Sequence, residues 1–214
     1  MAQLTGIPGE MHTMNDRNRN DILNLRRSQL TKAAYQVVSK KGYYNFTIKD
    51  IANEAGLSTG LVHYYFKDKQ DLLLTLLKEI NNNVRHLLNM EIRESTDPRE
   101  KLDIFITQAF NLVEREKSYF YVLLDFWTQL NHNERMRNAI QKLYESYRSV
   151  CSGIIREGLD AGYFKPDIDV LYTATMIVSM IQGTIIQYVI DPNAFNYGEF
   201  TDKIKEQVIQ QIII

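Results

Sequence analysis

Thr47, Lys49, Ser58, Thr59, Gly60, His63, Tyr64, Lys67 and Lys69 bring hydroxyls, ammonium groups, an imidazole and a phenol into one short stretch of chain. Short polar groups can reach base edges or phosphates, lysines neutralise phosphate charge, and a glycine lets a second surface come close. The chemistry on offer is recognition rather than catalysis. His12, His63, His86 and His132 show no metal-ligand spacing, Cys151 has no CxxC partner, and no GxSxG elbow or glycine-rich phosphate loop occurs. No metal, cofactor or enzymatic activity is therefore expected. Cys151 sits among apolar neighbours and reads as an inert core thiol. A single cysteine excludes an intrachain disulfide, which suits a reducing, cytoplasmic compartment.

Short helices must position these groups. Thr47-Ile48-Lys49-Asp50 opens like a capping box, and Ile48, Ile51, Ala52 and Ala55 repeat at 0, 3, 4 and 7. Gly56 supplies the positive φ that stops a helix, and Ser58 caps a second one with Leu61, Val62 and Tyr65 facing inward. That is a helix-turn-helix, whose second helix would point Thr59 to Tyr64 at a major groove. Lysines and backbone N–H groups at the helix starts would meet phosphates. Helix pairs with a glycine turn also occur in proteins that bind no nucleic acid, so charge has to help decide. Between Asn15 and Lys69 there are ten Lys/Arg against five Asp/Glu, and the remainder holds fifteen against twenty-one, within a net charge of −1. A basic segment on an acidic body fits a DNA-facing module.

The segment resembles the DNA-binding domain of the TetR (tetracycline repressor) family of bacterial regulators. The likeness rests on Lys40-Lys41-Gly42, Phe46-Thr47, Ile51-Ala52, Ala55-Gly56, Ser58, Gly60, Tyr64 to Lys69 and Leu72. His63 stands where a tyrosine is commoner in the family, and Val62 replaces a usual leucine. The stretch from Gly158 to Phe195 (GLDAGYF, then GTIIQYVIDPNAF) is similar to the regulatory domains of betaine and fatty-acid regulators in that family. The resemblance implies three helices for DNA, six for a regulatory domain, operator binding as a dimer, and repression relieved by a small organic ligand.

The rest of the chain reads as helix, giving an all-α, nine-helix, two-domain architecture. Residues 1–19, polar and broken by Gly6, Pro8 and Gly9, read as a mobile arm, with Met11 or Met14 open as other starts. Arg17 and Arg19 precede the first helix, which carries Leu30, Ala33, Ala34, Val37 and Val38 on one stripe. Residues 20–70 form the DNA-binding domain and 71–214 the regulatory one. A long helix from Asp68 to about Arg93 places Leu73, Leu76, Leu77, Ile80, Val84, Leu87 and Leu88 on one side and connects the two. Asp97-Pro98, Ser118 and Asn133 look like the next three helix starts.

Of the 21 residues from Val170 to Ile190, fourteen are apolar. Gln182, Gln187 and four Ser/Thr dilute the run, and no Lys/Arg flanks it closely, so a membrane span is not favoured. One face on the core and one on a second subunit explains it better, with Ile177, Ile181, Ile185, Tyr188, Ile204 and Val208 as candidate homodimer contacts. Such a dimer would bind double-stranded operator DNA of approximate two-fold symmetry.

Phe105, Trp127, Tyr144, Tyr147, Met176 and Met180 are large or adaptable groups on helices that should converge, and they are the candidates for a pocket holding a largely apolar organic effector. Gln129, Gln182 and Gln187 could orient it. A ligand that tilts the long connecting helix would change the spacing of the recognition helices. The rival readings are a ligand-dependent activator and an all-helical protein-interaction module without operator binding.

Overall fold

The computed structural model describes residues 10–115 and 117–213. Nine helices stand among them: α1 (Glu10–Asn45), α2 (Ile48–Ala55), α3 (Thr59–Tyr65), α4 (Lys69–Glu94), α5 (Pro98–Arg115), α6 (Lys117–Trp127), α7 (Glu134–Asp160), α8 (Val170–Ile190) and α9 (Tyr197–Ile212). Gly42, at φ 75° and ψ 166°, interrupts α1, so its two sides can also be counted separately and the total taken as ten. The described residues contain no strand, only an isolated antiparallel bridge between Phe164 and Ile213.

The first helix begins at Glu10, well before its expected start. No glycine or proline follows Gly9 until Gly42, so nothing in residues 10–19 of the expected arm breaks a helix. Residues 1–9 lie outside the described residues, as do the side chains of Met11, Met14, Arg17 and Arg19.

The chain separates into two compact units, one ending at Leu76 and the next beginning at Leu77. In the first, the α1 stripe of Leu30, Ala33, Ala34, Val37 and Val38 is buried with Ile51, Ala52, Ala55, Val62 and Phe66. The division falls at 76 rather than at 70 because the opening turns of α4 are tied into this unit. Leu72, Leu73 and Leu76 are buried. Arg27 donates to Thr75 Oγ1 at 3.0 Å while lying 5.4 Å from the centre of the Phe66 ring. Further along α4, the side chains of Ile80, Val84, Leu87 and Leu88 lie outside the described residues.

In the second unit α7 packs on α5 and α8, with α6 and α9 completing the bundle. Asp97 accepts from Arg99 N at 2.9 Å and starts α5 before Pro98, as its position predicts. Asn133 likewise caps α7 through Met136 N at 3.1 Å. Ser118 does not cap α6, because that helix already runs from Lys117. At the α7 exit, a Cβ on Gly158 would stand 2.2 Å from the Phe164 ring, so only glycine lets this phenylalanine bury fully. Lys165 then turns back and donates to the carbonyls of Gln210 and Gln211 at 3.1 and 2.9 Å. An ammonium on the last carbonyls of α9 is favourable both as a hydrogen-bond donor and as a charge.

By length and composition α8 could cross a membrane. Its packing gives another reason for its apolarity: Ala174, Ile177, Val178, Ile181, Ile185 and Val189 are buried against the rest of the unit. This sets five of the six expected dimer contacts inside the chain's own core. Ile177, Ile181, Ile185, Ile204 and Val208 are core residues of their own chain, whereas Tyr188 is half-buried, with its ring stacked on Tyr197 at 4.1 Å between centres. On the outward sides of α8 and α9, Leu171, Tyr172, Ile190 and Phe200 are exposed. Periodicity located the apolar helix but could not say which of its faces the chain keeps for itself.

Candidate DNA-binding and effector sites

The helix-turn-helix is fixed by its own polar groups. Thr47 and Asp50 form a reciprocal capping box: Asp50 N reaches Thr47 Oγ1 at 3.2 Å, and Thr47 N reaches Asp50 Oδ2 at 2.9 Å. Lys41 pairs with the other Asp50 oxygen at 2.8 Å. Those hydrogen bonds, Lys41 first and then Thr47, hold the Asp50 carboxyl at a pKa of about 2. Gly56 adopts φ 64° and closes α2, while Ser58 Oγ accepts from Leu61 N at 3.2 Å and opens α3.

These bonds sort the candidate DNA residues. Val62 is fully buried and turns α3 so that Thr59, Gly60, His63 and Tyr64 are exposed, with Lys49 and Lys67 exposed nearby. Tyr64 is 66% exposed and braced edge-on by Tyr65, ring centres 5.2 Å apart. Gly60 has no internal reason to be glycine: its φ is not positive, and the nearest atom to a built Cβ is Ser58 Oγ at 3.9 Å. Thr47 and Ser58, by contrast, already have their hydroxyls engaged in caps. Lys69 also turns to the chain, donating to Phe46 O at 3.2 Å with its ammonium 3.8 Å from the centre of the Phe46 ring. Partial burial lowers its pKa.

In the second unit a cavity of about 210 Å³ opens between α5, α6, α7 and α8, with Glu91 of α4 on its wall. Phe105, Trp127, Tyr144 and Tyr147 line it as expected, and so does Gln182. Met176 and Met180 do not, and neither do Gln129 and Gln187. The reason for the methionines is rotational: α8 presents Val178, Ile181, Gln182, Ile185 and Ile186, and at 100° per residue positions 176 and 180 fall on the opposite side. Two isoleucines expected at a dimer contact, Ile181 and Ile185, face this cavity instead. Tyr119, Phe120, Leu123, Leu112, Gln108 and Arg115 were not anticipated. The spacing of Phe105, Gln108, Ala109, Leu112 and Arg115 along one side of α5 would have been the available signal.

Aromatic groups dominate the wall. The Trp127 and Tyr144 rings are 6.2 Å apart, as are those of Tyr144 and Tyr147. The Tyr119 and Tyr147 hydroxyls pair at 3.2 Å. Burial pushes the Tyr147 phenol up to about 12 and raises that of Tyr144 as well, so both stay neutral. The Trp127 indole leans toward the Tyr144 hydroxyl and offsets part of that rise, yet neither Trp127 Nε1 nor Tyr144 OH makes a hydrogen bond of normal geometry. Arg115 donates to Gln108 at 3.5 Å. A more polar cleft, lined by Gln141, Arg148, Thr175 and Ser179, shares Tyr144, Val178 and Gln182 with the cavity.

Two family descriptions match the chain. Residues 30–76 match "Bacterial regulatory proteins, tetR family", and residues 98–211 match "BetI-type transcriptional repressor, C-terminal". The chain is similar to the fatty acid metabolism regulator protein of Bacillus subtilis, 27% identical over 187 residues, which is 86% of this chain and 94% of that one. In structure it is similar to the regulator FadR from Bacillus subtilis in complex with stearoyl-CoA, with a TM-score of 0.73 and 27% identity over 86% of this chain and 98% of the other. A regulator from Saccharomonospora viridis in complex with choline shares the fold, with a TM-score of 0.79 and 24% identity over 88% and 97% of the two chains.

Proposed function

The chain belongs to the TetR family of bacterial regulatory proteins, and from that premise we propose a homodimeric, effector-relieved repressor that reads an approximately palindromic operator through α3. It is a DNA-binding transcriptional regulator, and its relatives are regulators rather than enzymes. One observation carries the operator reading. With Val62 buried, α3 offers Thr59, Gly60, His63 and Tyr64 to the outside, a short polar face with a gap at Gly60 that nothing in the chain itself requires. Lys49 and Lys67 supply phosphate contacts, whereas Thr47, Ser58 and Lys69 act by holding α2, α3 and the Phe46 carbonyl in place.

The second subunit packs on the outward side of α8 and α9, over Leu171, Tyr172, Ile190 and Phe200. The unit that ends at Leu76 is the DNA-binding domain, and the one that begins at Leu77 is the regulatory one. The effector fills the α5–α8 cavity. The likeness to a regulator holding stearoyl-CoA favours an amphipathic molecule with its chain among Leu112, Leu123, Ile181 and Ile186. The polar cleft at Arg148 and Gln141 suits its head. Relief runs through α4, which touches the cavity with Glu91 and belongs by its first turns to the DNA-binding unit. A coupling of about 1–3 kcal/mol would weaken operator binding roughly 5- to 150-fold. The setting is the cytoplasm.

Mobility shift on the DNA upstream of the chain's own gene, across 50–200 mM salt with unrelated competitor, tests the operator reading. A specific, salt-sensitive shift at two subunits per site, or a multiple, supports it. The same assay with palmitoyl-CoA, and with free coenzyme A as control, tests the effector. Failure of palmitoyl-CoA to release the operator would reject the amphipathic reading.

A further inference from the structure

The cavity wall contains two polar atoms that the chain leaves unmatched. Trp127 Nε1 and the Tyr144 hydroxyl are buried and lie on adjoining rings; the indole leans toward the hydroxyl, but neither atom has a hydrogen-bond partner of normal geometry. Two pairs among the other polar groups of this wall engage each other. The Tyr119 and Tyr147 hydroxyls serve each other at 3.2 Å, and Arg115 is joined to Gln108 at 3.5 Å. An indole N–H can only donate, and the Tyr144 phenol stays protonated because burial disfavours the phenolate. A buried donor without an acceptor is costly, and native structures keep few of them unless something else occupies the site.

We propose that the effector carries a hydrogen-bond-accepting oxygen, a carbonyl or ether within an apolar skeleton, which sits between Trp127 Nε1 and the Tyr144 hydroxyl. The inference rests on the reading of this cavity as the effector site and adds the chemistry selected there. A plain hydrocarbon fills the same space but leaves both donors unmet. A quaternary ammonium suits the rings but accepts no hydrogen bond. An oxygen at this point meets two donors at once and fixes how deep the ligand sits, which the smooth apolar wall of Leu112, Leu123 and Ile186 cannot do.

An isosteric pair of probes isolates the oxygen: 4-tert-butylcyclohexanone and its methylene analogue, in which C=CH2 replaces C=O. Titration calorimetry on the full-length protein gives both affinities. Emission from Trp127, the one tryptophan in the chain, reports independently whether each probe reaches the site. The ketone is expected to bind roughly 5- to 150-fold more tightly, the range two net hydrogen bonds supply. Its binding should shift the emission maximum with the midpoint seen by heat. Tyr144→Phe should bring the ratio between the two probes down toward one, and Trp127→Phe should lower it too; thermal melts confirm that both variants fold.

Equal affinities in the parent protein, with both probes moving the emission, would overturn the acceptor proposal and leave the cavity as effector site standing. A preference for ketone that survives both substitutions would overturn it in the same way. Absence of any heat or emission change with either probe would overturn the proposal together with the reading it rests on.

Discussion

The two candidate sites treat their polar side chains in opposite ways. In the α2–α3 region, three of the groups that look like DNA ligands are taken up by the fold. Thr47 and Ser58 cap helices, and Lys69 lies over Phe46. What is left outside, Thr59, His63, Tyr64, Lys49 and Lys67, is exposed. An exposed polar group is satisfied by water, so waiting for DNA costs it nothing. In the cavity the chain keeps Trp127 Nε1 and the Tyr144 hydroxyl buried and unmatched, where waiting does carry a cost. Exposure is thus the sign of function in the first region, and dissatisfaction is the sign in the second.

The largest effect should come from removing the outward face of α3. His63→Ala with Tyr64→Ala deletes two side chains per subunit that touch base edges or phosphates in the proposed complex. At about 1–3 kcal/mol per good base contact, specific affinity should fall by roughly two orders of magnitude or more. The melting temperature should barely move, because both residues are exposed. Mobility shift and thermal melts on one preparation check this. A parallel loss of stability would mean that the face is structural.

Two glycines sharpen the contrast next. Gly158 makes room for the chain's own Phe164, whose ring a Cβ would meet at 2.2 Å, whereas the space at Gly60 is empty to 3.9 Å. Gly158→Ala should cost about 1–3 kcal/mol as overpacking, seen as a lowered melting temperature of the regulatory unit. Gly60→Ala should leave stability unchanged or slightly raised, since alanine favours helix, while operator affinity drops. If Gly60→Ala binds DNA as well as the parent, the close approach assumed at α3 is wrong.

Much of this was legible in the sequence, and the failures share a cause. The Thr47–Asp50 box, the Gly56 stop, the Ser58 cap and the α1 stripe were readable because each depends on residues within a turn or two of one another. So was the place of Phe105, Trp127, Tyr144 and Tyr147 on the cavity wall, by size and by helix. Met176, Met180 and the isoleucines of α8 were misassigned because a helix apolar on most sides has no periodicity to reveal its rotation. That rotation is set by α5, α6 and α7, which lie far away in sequence. Lys69 escaped for a related reason: its carbonyl partner, Phe46, is 23 residues distant.

Among the lysines the expected effects are smaller and graded. Lys49→Ala and Lys67→Ala should each reduce the slope of log affinity against log salt by about one per subunit if the side chain neutralises a phosphate. Lys69→Met should change that slope little, because its ammonium is already engaged by the Phe46 carbonyl and ring. It should instead lower the stability of the DNA-binding unit. Salt titrations of operator binding separate the two outcomes, and a full unit of slope lost with Lys69→Met would restore it to the phosphate contacts.

The smallest effect concerns acid. Asp50 is held at a pKa of about 2, below its ordinary 3.8, chiefly by Lys41 and then by the Thr47 backbone and hydroxyl. A carboxyl whose folded pKa is depressed binds its proton more weakly when folded than when unfolded. Its contribution is therefore complete above pH 3.8 and is lost as the pH falls toward 2. Asp50→Asn removes the carboxylate at every pH, so the difference in melting temperature between parent and variant isolates this group from every other that titrates in acid. That difference should be constant near neutrality and shrink as the pH falls from 3.8 toward 2. High salt should diminish it, since the Asp50 carboxylate lies at the surface and its attraction to Lys41 is open to screening. A difference that stays constant down to the acid limit would show that the box stabilises α2 through hydrogen-bond geometry, which the amide keeps in part, and not through charge.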